Sequence, residues 1–461
     1  MTAVRADRRY DHHVLGSSAA WPCPYDPRAV IHTRFQMTRN GRVLLASPRF
    51  RPGVPFTLGW FRAATATRHV VEPEVLPLPR ARHSHRASVG GAGCVRSLVN
   101  VVDLCLDSTK DVLWLLDAGV VNTMTDTPRR VAAAKIVRLE INDDGDDDDD
   151  DDDLKTPYQT FEIETDATNG RGESAAAKSC LQYILTFHSR HAAGGHYAFV
   201  ADAGHSSVLV LNTGTGARGS IDFPERAVGS GASRDVMFMV ILRKSNGRAG
   251  LYATFLSGCR MFAVDLEHVD QYATVRPAVT VVGRKPFRIA VLGSDTGSRM
   301  FFRRPAENEI WTWDVNCPFH LVGFRLVSKG ADCRAPVHVA PGYDGIVYVL
   351  RNNFADYVRN GTGSLGAYTL VQPVSVLPPS NCSTNTASVA TTETPAWTRN
   401  TAQTGARTTR TTSRATPTVT TPTATTPTAT TTTTSAVTTP GTTLTTFGDG
   451  DDDRGCQCNN T

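Results

Sequence analysis

The segments Val102-Asp103-Leu104-Cys105 and Val112-Leu113-Trp114-Leu115-Leu116-Asp117-Ala118-Gly119 decide the fold. Each is a short apolar run, and Asp107-Ser108-Thr109-Lys110 between them has the composition of a turn. Two apolar runs on either side of a polar turn predict an antiparallel hairpin.

The same pattern of strand, polar turn and strand recurs along the chain. The further copies are Tyr197–Asp202 with Val208–Asn212, Leu251–Phe255 with Met261–Asp265, Met300–Phe302 with Ile310–Asp314, and Val337–Val339 with Ile346–Leu350. Copies too small to bury their own apolar faces predict sheets stacked around an axis, as in a β-propeller. A β-sandwich with long loops is the alternative, although sandwiches show turn signals about every 8 to 12 residues.

Four groups of residues, in this order along the chain, resemble the landmarks of the Yellow and major royal jelly protein family. They are Ser47–Leu58; the set Cys94, Ser97, Asp103, Cys105, Leu113, Trp114, Asp117 and Gly119; Tyr197–Asp202; and Asp344–Phe354. The resemblance covers Thr33 to Gln372. It implies an all-β fold, a six-bladed β-propeller that is usually secreted, in a family linked to cuticle pigmentation, dopachrome conversion, nutrition or biogenic-amine binding.

Composition divides the 461 residues into unequal parts. We leave residues 1–32 unassigned and predict the propeller over residues 33–375. Within it, residues 143–178 are predicted to form a disordered acidic and polar insertion, because the ten aspartates between Asp143 and Asp153 repel one another. Residues 383–461 are rich in Thr and Pro and predict a disordered, O-glycosylated, mucin-like tail, with an unmodified flexible tail as the alternative.

Ten cysteines without paired zinc-knuckle spacing favour disulfides in an exported protein. The resemblance implies a bond between Cys94 and Cys105. Relatives often carry a cysteine where this chain has Thr312, and the resemblance offers Cys317 as a displaced substitute that would join Cys382. From the sequence alone, the pairings of Cys180, Cys259, Cys317, Cys333 and Cys382 stay open.

Two sequons, at Asn360 and Asn381, agree with a secreted glycoprotein. Met1 to Val30 has no apolar core of the length that a signal peptide needs. We expect the gene model to be incomplete at its N-terminus, with a protein that is not exported as the alternative. No run of 18 apolar residues exists, which predicts no membrane span.

The formal net charge is +4. Arginines scattered among strands and turns, without a basic helix, predict no nucleic-acid partner. Neither a phosphate loop nor a dinucleotide fingerprint is present, so no cofactor is predicted. His69, His83 and His85 lack metal-ligand spacing, and the acidic run lacks the EF-hand pattern, so no metal site is predicted.

Members of the resembling family that bind amines hold them at a channel mouth with an Asn and a nearby aromatic residue. The matching positions are Asn352 and Phe354. An amide oxygen can accept from an ammonium and a ring can cover an indole or catechol. The alternative is that both residues cap and pack a blade end. Asp117, Asp202 and Asp235 are candidates for moving a proton, with the closing of tight turns as their alternative role.

The resemblance therefore implies a protein of pigmentation or cuticle melanisation whose small-molecule partner is a catechol or indole amine. Three functions stay open. The chain is an enzyme of the dopachrome-conversion type, a non-catalytic binder of biogenic amines, or a structural glycosylated component with the extracellular matrix or cuticle as its partner.

Overall fold

The computed structural model describes thirteen segments of the chain. They are residues 2–5, 25–62, 75–79, 97–107, 112–141, 158–163, 179–190, 195–224, 235–305, 307–330, 334–342, 345–361 and 367–374. Of residues 2–5 and Tyr158 only the backbone is described. The predicted tail, residues 383–461, lies outside these segments.

Twenty-four of the strands form six four-stranded blades, which we number in chain order. A bridge between Gly293 and Val339 joins blades five and six into one eight-stranded sheet. Blade one contains β2 (Arg34–Met37), β3 (Arg42–Ala46), β4 (Leu58–Arg62) and β5 (Leu76–Pro77). Blade two contains β6 (Val101–Asp107), β7 (Val112–Asp117), β10 (Ala134–Glu140) and β11 (Tyr158–Ile163). Blade three contains β12 (Leu181–His188), β13 (His196–Asp202), β14 (Ser207–Asn212) and β15 (Arg218–Asp222).

The second half of the chain repeats this arrangement. Blade four contains β16 (Met237–Arg243), β17 (Ala249–Phe255), β18 (Arg260–Asp265) and β19 (Thr280–Arg284). Blade five contains β20 (Ala290–Ser294), β21 (Arg299–Arg303), β22 (Glu309–Asp314) and β23 (Phe324–Lys329). Blade six contains β24 (Ala335–Pro341), β25 (Val347–Asn352), β26 (Tyr368–Pro373) and β1 (Thr2–Arg5).

The first strand of each blade lies next to the first strand of the following blade. These inner strands are β2, β6, β12, β16, β20 and β24, and β24 returns to contact β2. A closed circuit of six inner strands is the arrangement of a six-bladed β-propeller. Blade six joins the two ends of the described chain, because β1 pairs antiparallel with β26.

Six apolar clusters fill the spaces between consecutive blades. Between blades two and three, for example, Trp114 and Leu116 pack with Ile184 and Val200. Each blade therefore buries its two faces against its neighbours, which explains why strands such as β7 and β13 are buried along their whole length.

Inner strands approach one another most closely between blades five and six. Gly293 of β20 pairs in parallel with Val339 of β24. A Cβ at Gly293 would lie 2.1 Å from the Val339 carbonyl oxygen, and its φ of +146° is in the region that favours glycine. Only a glycine allows this contact without displacing one of the two strands.

The predicted all-β propeller is confirmed, and all five predicted hairpins are present as β6/β7, β13/β14, β17/β18, β21/β22 and β24/β25. Short elements complete the described fold. They are the ribbon β8 (Val120–Val121) with β9 (Arg129–Arg130), the helix α1 (Phe354–Val358), and 3-10 turns at Pro27–Ala29, Val269–Gln271 and Leu321–Gly323. No helix in the described segments is long and apolar enough to cross a membrane.

Two predicted boundaries need correction. The prediction of disorder for residues 143–178 was wrong for Tyr158–Ile163, which form β11 at the outer edge of blade two. There β11 pairs with the apolar strand β10, and Phe161 stacks on Trp114. The N-terminal segment left unassigned supplies β1 to blade six, and its Ile31 is fully buried against Tyr357.

Candidate functional site

Alternation along the inner strand β2 directs one set of side chains to the axis. Phe35 and Met37 are buried in the core between blades six and one, whereas Arg34 and Gln36 are half-buried. Successive side chains of a strand point to opposite faces, so Arg34 and Gln36 face the axis of the ring. The sequence Arg-Phe-Gln-Met thus places a cation at the centre of an otherwise apolar fold.

Bulges in the other inner strands set the side chains that meet Arg34. The register of β6 shifts between Val101 and Asp103, that of β12 between Leu181 and Tyr183, and that of β24 between Pro336 and His338. A bulge re-aims the side chains that follow it and is common beside functional sites. In all three strands the first residue after the shift is polar. We call Arg34, Asp103, Tyr183 and His338 the axial layer.

Arg34 holds the axial layer together. Its Nε lies 3.2 Å from Asp103 Oδ1, and its guanidinium carbon lies 4.7 Å from the centre of the Tyr183 ring. It also donates to the Val337 carbonyl of blade six at 3.2 Å. The Phe35 N–H donates to His338 Nδ1 at 3.4 Å, and the two rings meet edge to face. Four blades thereby contribute to one polar cluster.

The contact between Arg34 and Tyr183 crosses the axis. Arg34 belongs to blade one and Tyr183 to blade three, and blade two lies between them. Tyr183 also packs against Phe238 of blade four. Tyr183 and His338 are half-buried in this layer, whereas Asp103 is buried.

Burial sets the protonation of this layer. It raises the pKa of Asp103 to about 6, outweighing the opposing effect of Arg34 and of the Ile184 N–H that donates to Asp103. Burial, and then the Arg34 charge, lower the pKa of His338 well below its usual value, so this imidazole is neutral at pH 7. Burial also raises the pKa of Tyr183. Asp103 is therefore the titrating member near neutral pH.

The three aspartates considered from the sequence close turns. Asp117 is fully buried and accepts the N–H groups of Val99, Asn100 and Gly119 at 2.7, 2.8 and 3.0 Å. Asp202 accepts the N–H groups of Cys180 and Gly204 and the Ser179 hydroxyl. These partners all lie in the aspartate's own blade or the turn that leads into it.

Asp235 has the same role at the start of blade four. It accepts the N–H of Val236 at 2.7 Å and the N–H and hydroxyl of Ser257. Asp202 also lies 2.7 Å from His205 Nδ1, and Asp117 lies 3.8 Å from Lys135 Nζ. All three carboxylates accept backbone N–H groups of their own turns, which supports the turn-closing alternative.

Asn352 and Phe354 lie at the end of β25, where Asn352 is fully buried. Its Nδ2 donates to the His32 carbonyl at 2.8 Å, and its Oδ1 accepts the Phe354 N–H at 3.1 Å. Phe354 packs against Phe50 and Tyr357. These contacts give both residues the capping and packing role that was the alternative to ligand binding.

Cys105 is a free thiol, so the bond with Cys94 that the resemblance implied is not formed. Its Sγ lies 3.6 Å from Thr186 Oγ1 of the next blade, and burial raises its pKa to about 11. Cys94 lies outside the described segments. Cys317 is disulfide-bonded, and its predicted partner Cys382 also lies outside them. Of the two sequon asparagines, Asn360 is exposed and Asn381 is not described.

Sequence reasoning missed the axial layer. Asp103 was noted as a family landmark and His338 as part of a strand, but neither was considered as a site residue. A charged residue within the apolar run Val101–Leu106 was the one available signal. The bulges that bring the four side chains together leave no sequence signature of their own.

Six blades around a polar axial layer define the molecule as a β-propeller with a candidate site on its axis. No protein-family model and no curated protein matches the chain. Among solved structures, virginiamycin B lyase from Staphylococcus aureus is similar, with 9% identity over 75% of this chain and 95% of that one at a TM-score of 0.37.

Two further solved structures have a comparable likeness. A putative 6-phosphogluconolactonase from Bacteroides uniformis shares 12% identity over 68% of this chain and 75% of its own, with a TM-score of 0.37. The Cps50 (Swd1) propeller domain from Myceliophteria thermophila shares 12% over 70% and 80%, with a TM-score of 0.36. The assignment of the fold rests on the closed circuit of six inner strands and not on these similarities.

Proposed function

We propose that this chain is a secreted, Yellow-type propeller protein that binds a catechol or indole amine at the axial layer and acts in pigmentation or cuticle melanisation. The observation that carries the proposal is the meeting of Arg34, Asp103, Tyr183 and His338 on four inner strands. The resemblance of the sequence to the Yellow family supplies the ligand class.

The chemistry of the layer suits an aromatic amine. The Tyr183 ring offers a face to a catechol or indole ring. The Asp103 carboxylate can accept from an ammonium group of the ligand while it still contacts Arg34. Arg34 in turn matches a carboxylate on the ligand. A ligand with an aromatic ring, an amino group and a carboxylate therefore has one partner in the layer for each of these three groups.

The layer also suits proton transfer of the dopachrome-conversion type. With a pKa of about 6, Asp103 is mostly ionised at pH 7 and still binds a proton readily, as a general base requires. A tautomerisation removes a proton from a ring carbon and returns one to a ring oxygen, so it needs no further reactant. His338 is neutral and its Nδ1 accepts the Phe35 N–H, so its Nε2–H can donate a hydrogen bond to the ring oxygen.

Secretion is supported by the disulfide at Cys317, because disulfides persist in oxidising compartments. The exposed position of Asn360 is compatible with a glycan. Both observations agree with the export inferred from the cysteine count and the Thr-rich tail.

Isothermal titration with dopamine, serotonin and dopachrome, with absorbance followed in parallel, tests the proposal. We expect binding by the wild-type chain and at least tenfold weaker binding by Asp103→Asn, because the ammonium loses its charged acceptor. Asp222→Asn is the matched control, since Asp222 is exposed on the outer strand β15 and pairs with Arg276.

The outcomes separate the three functions. If dopachrome absorbance falls with the wild-type chain but not with Asp103→Asn, the protein is an enzyme. If the compounds bind without conversion, it is an amine binder. Binding that survives Asp103→Asn but is lost in Asn352→Ala would move the ligand to the end of β25. No binding of any of the three compounds, together with adhesion to chitin, would leave the structural matrix function.

A further inference from the structure

A second polar cluster lies farther along the inner strands. Asp107 is the last residue of β6, His188 is the last residue of β12, and His196 is the first residue of β13. His188 and His196 are directly opposite each other in the β12/β13 pair. Asp107 follows Asp103 by four residues, so the cluster is about 13 Å from the axial layer along β6.

The three side chains converge on one point. Asp107 Oδ2 lies 3.5 Å from His188 Nε2 and 3.3 Å from His196 Nε2. One ligand atom from each residue lies within 4.8 Å of the others. Two ligand atoms held tetrahedrally at typical zinc distances are about 3.4 Å apart. The distances from Asp107 Oδ2 to the two imidazole nitrogens are therefore compatible with neighbouring ligands on one metal ion.

The hydrogen bonds of His196 direct its Nε2 lone pair into the cluster. The Thr213 hydroxyl donates to the His196 carbonyl at 3.1 Å, and the same oxygen lies 3.1 Å from His196 Nδ1. A hydroxyl has one hydrogen, so Nδ1 is the donor to Thr213 and Nε2 is unprotonated in the neutral ring. A lone pair and a carboxylate oxygen 3.3 Å apart repel each other unless a cation or proton lies between them.

The surroundings bury Asp107 and His196 and leave the outer part of the His188 side chain exposed. Trp114 stacks on His196 with the ring centres 4.8 Å apart, and the side chains of Asp107 and His196 are 8% and 10% exposed. His188 is 39% exposed. The ligand atoms themselves, Asp107 Oδ2 and His188 Nε2, are buried, as the donor atoms of a site closed to solvent are.

We propose that Asp107, His188 and His196 bind a divalent transition-metal ion of the zinc class between blades two and three. Two imidazoles and one carboxylate favour zinc over calcium and magnesium, which prefer oxygen ligands. The contact from Thr213 orients His196 for this role, as outer-shell partners do in zinc sites. The site joins adjacent inner strands and is independent of the proposed amine site.

Competition between the metal-free full chain and a chromophoric chelator for Zn²⁺ tests the site. We expect one equivalent to bind tightly to the wild-type chain, and His188→Ala and Asp107→Asn each to weaken its affinity at least tenfold. His268→Ala is the matched control, because His268 is an exposed histidine in the loop after β18. The aspartates between Asp143 and Asp153 are common to all four proteins, so their weak cation binding cancels.

The absorption spectrum of bound Co²⁺ is a second measurement, which reports the ligands around the metal ion rather than the stability of the fold. Co²⁺ bound by two imidazoles and a carboxylate should give visible absorption bands in the wild-type chain that His188→Ala lacks. Thr213→Val keeps all three ligands and should weaken Zn²⁺ binding by roughly tenfold. The proposal is overturned if the wild-type chain takes up no tight equivalent, or if His188→Ala binds Zn²⁺ as tightly as the wild type.

Discussion

Buried carboxylates occur in two settings in this propeller, and the comparison separates scaffold from candidate site. Asp117 of blade two is held by three backbone N–H groups of the turn around it. Asp103, in the same blade, contacts the ionisable side chain of Arg34 from blade one. The first carboxylate fixes local chain geometry, while the second joins blades at the axis.

The two carboxylates differ in the groups that contact them. Asp117 accepts three backbone N–H groups and lies 3.8 Å from Lys135 of its own blade, so it stabilises one conformation of the turn before β6. Asp103 is next to a cation that has partners in three blades, and its pKa is raised to about 6. A group that titrates near neutral pH and contacts a cation from another blade is the better candidate for chemistry.

The largest effect is expected for Asp117→Ala. This change leaves three buried N–H groups without their acceptor and removes the carboxylate 3.8 Å from the buried ammonium of Lys135. We expect a loss of about 3 to 5 kcal/mol in the free energy of unfolding. Urea denaturation followed by tryptophan fluorescence measures it.

Asp222→Ala is the control for this experiment. Its ion pair with Arg276 lies on the surface, so its loss should change the unfolding free energy by less than about 1 kcal/mol. Equal effects of the two substitutions would mean that the turn before β6 does not depend on Asp117.

An intermediate effect is expected for Asn352→Ala. The substitution removes the donor to the His32 carbonyl and the acceptor of the Phe354 N–H, both in a buried site. We expect a loss of about 2 kcal/mol in stability and unchanged affinity for dopamine and serotonin. Denaturation and isothermal titration on the same sample measure the two quantities.

The exposed turn residue Asn246 provides the matched control. Its Oδ1 accepts the Arg248 N–H, and Asn246→Ala should cost less than about 1 kcal/mol because water replaces the lost contact. A tenfold weaker amine affinity in Asn352→Ala without loss of stability would restore Asn352 as a ligand-binding residue.

The fold could be predicted from the sequence because each hairpin carries its own signal. Apolar runs such as Tyr197–Ala201 and Leu251–Phe255 end at polar turns, and stacking of small sheets follows from their apolar faces. The outer strand β11 was not predicted because it follows the acidic run, and the composition there indicated disorder for the whole insertion. The pairing of β1 with β26 was missed because contacts between chain ends have no local pattern.

The candidate site could not be predicted in the same way. Arg34 and His338 are about 300 positions apart in sequence, and only closure of the ring brings them together. The bulges before Asp103, Tyr183 and His338 shift their side chains toward the axis, and period-two patterns do not show such shifts. Asn352, in contrast, is predicted as a site residue only from the resemblance to the Yellow family, and the structure buries it within the scaffold.

The smallest effect is expected in the pH dependence of stability at Asp103. Its pKa is raised from 3.8 to about 6 in the folded chain, so between these values the folded state binds more proton than the unfolded state. Stability from this group therefore increases as the pH falls from 7 to 5. The difference between wild type and Asp103→Asn should change by about 1 kcal/mol in favour of the wild type over that interval.

Denaturation of both proteins at pH 7 and pH 5 measures this difference. Burial lowers the pKa of His32 to about 4, so the contribution of His32 to stability decreases as the pH falls. This contribution is the same in both proteins, and taking the difference between their unfolding free energies removes it. Asp117→Asn, compared with wild type over the same interval, tests whether the response belongs to the axis rather than to buried carboxylates in general. A pH-independent difference for Asp103→Asn would mean that Arg34 keeps Asp103 ionised throughout, and Asp103 would then serve as a fixed charge rather than as a proton acceptor.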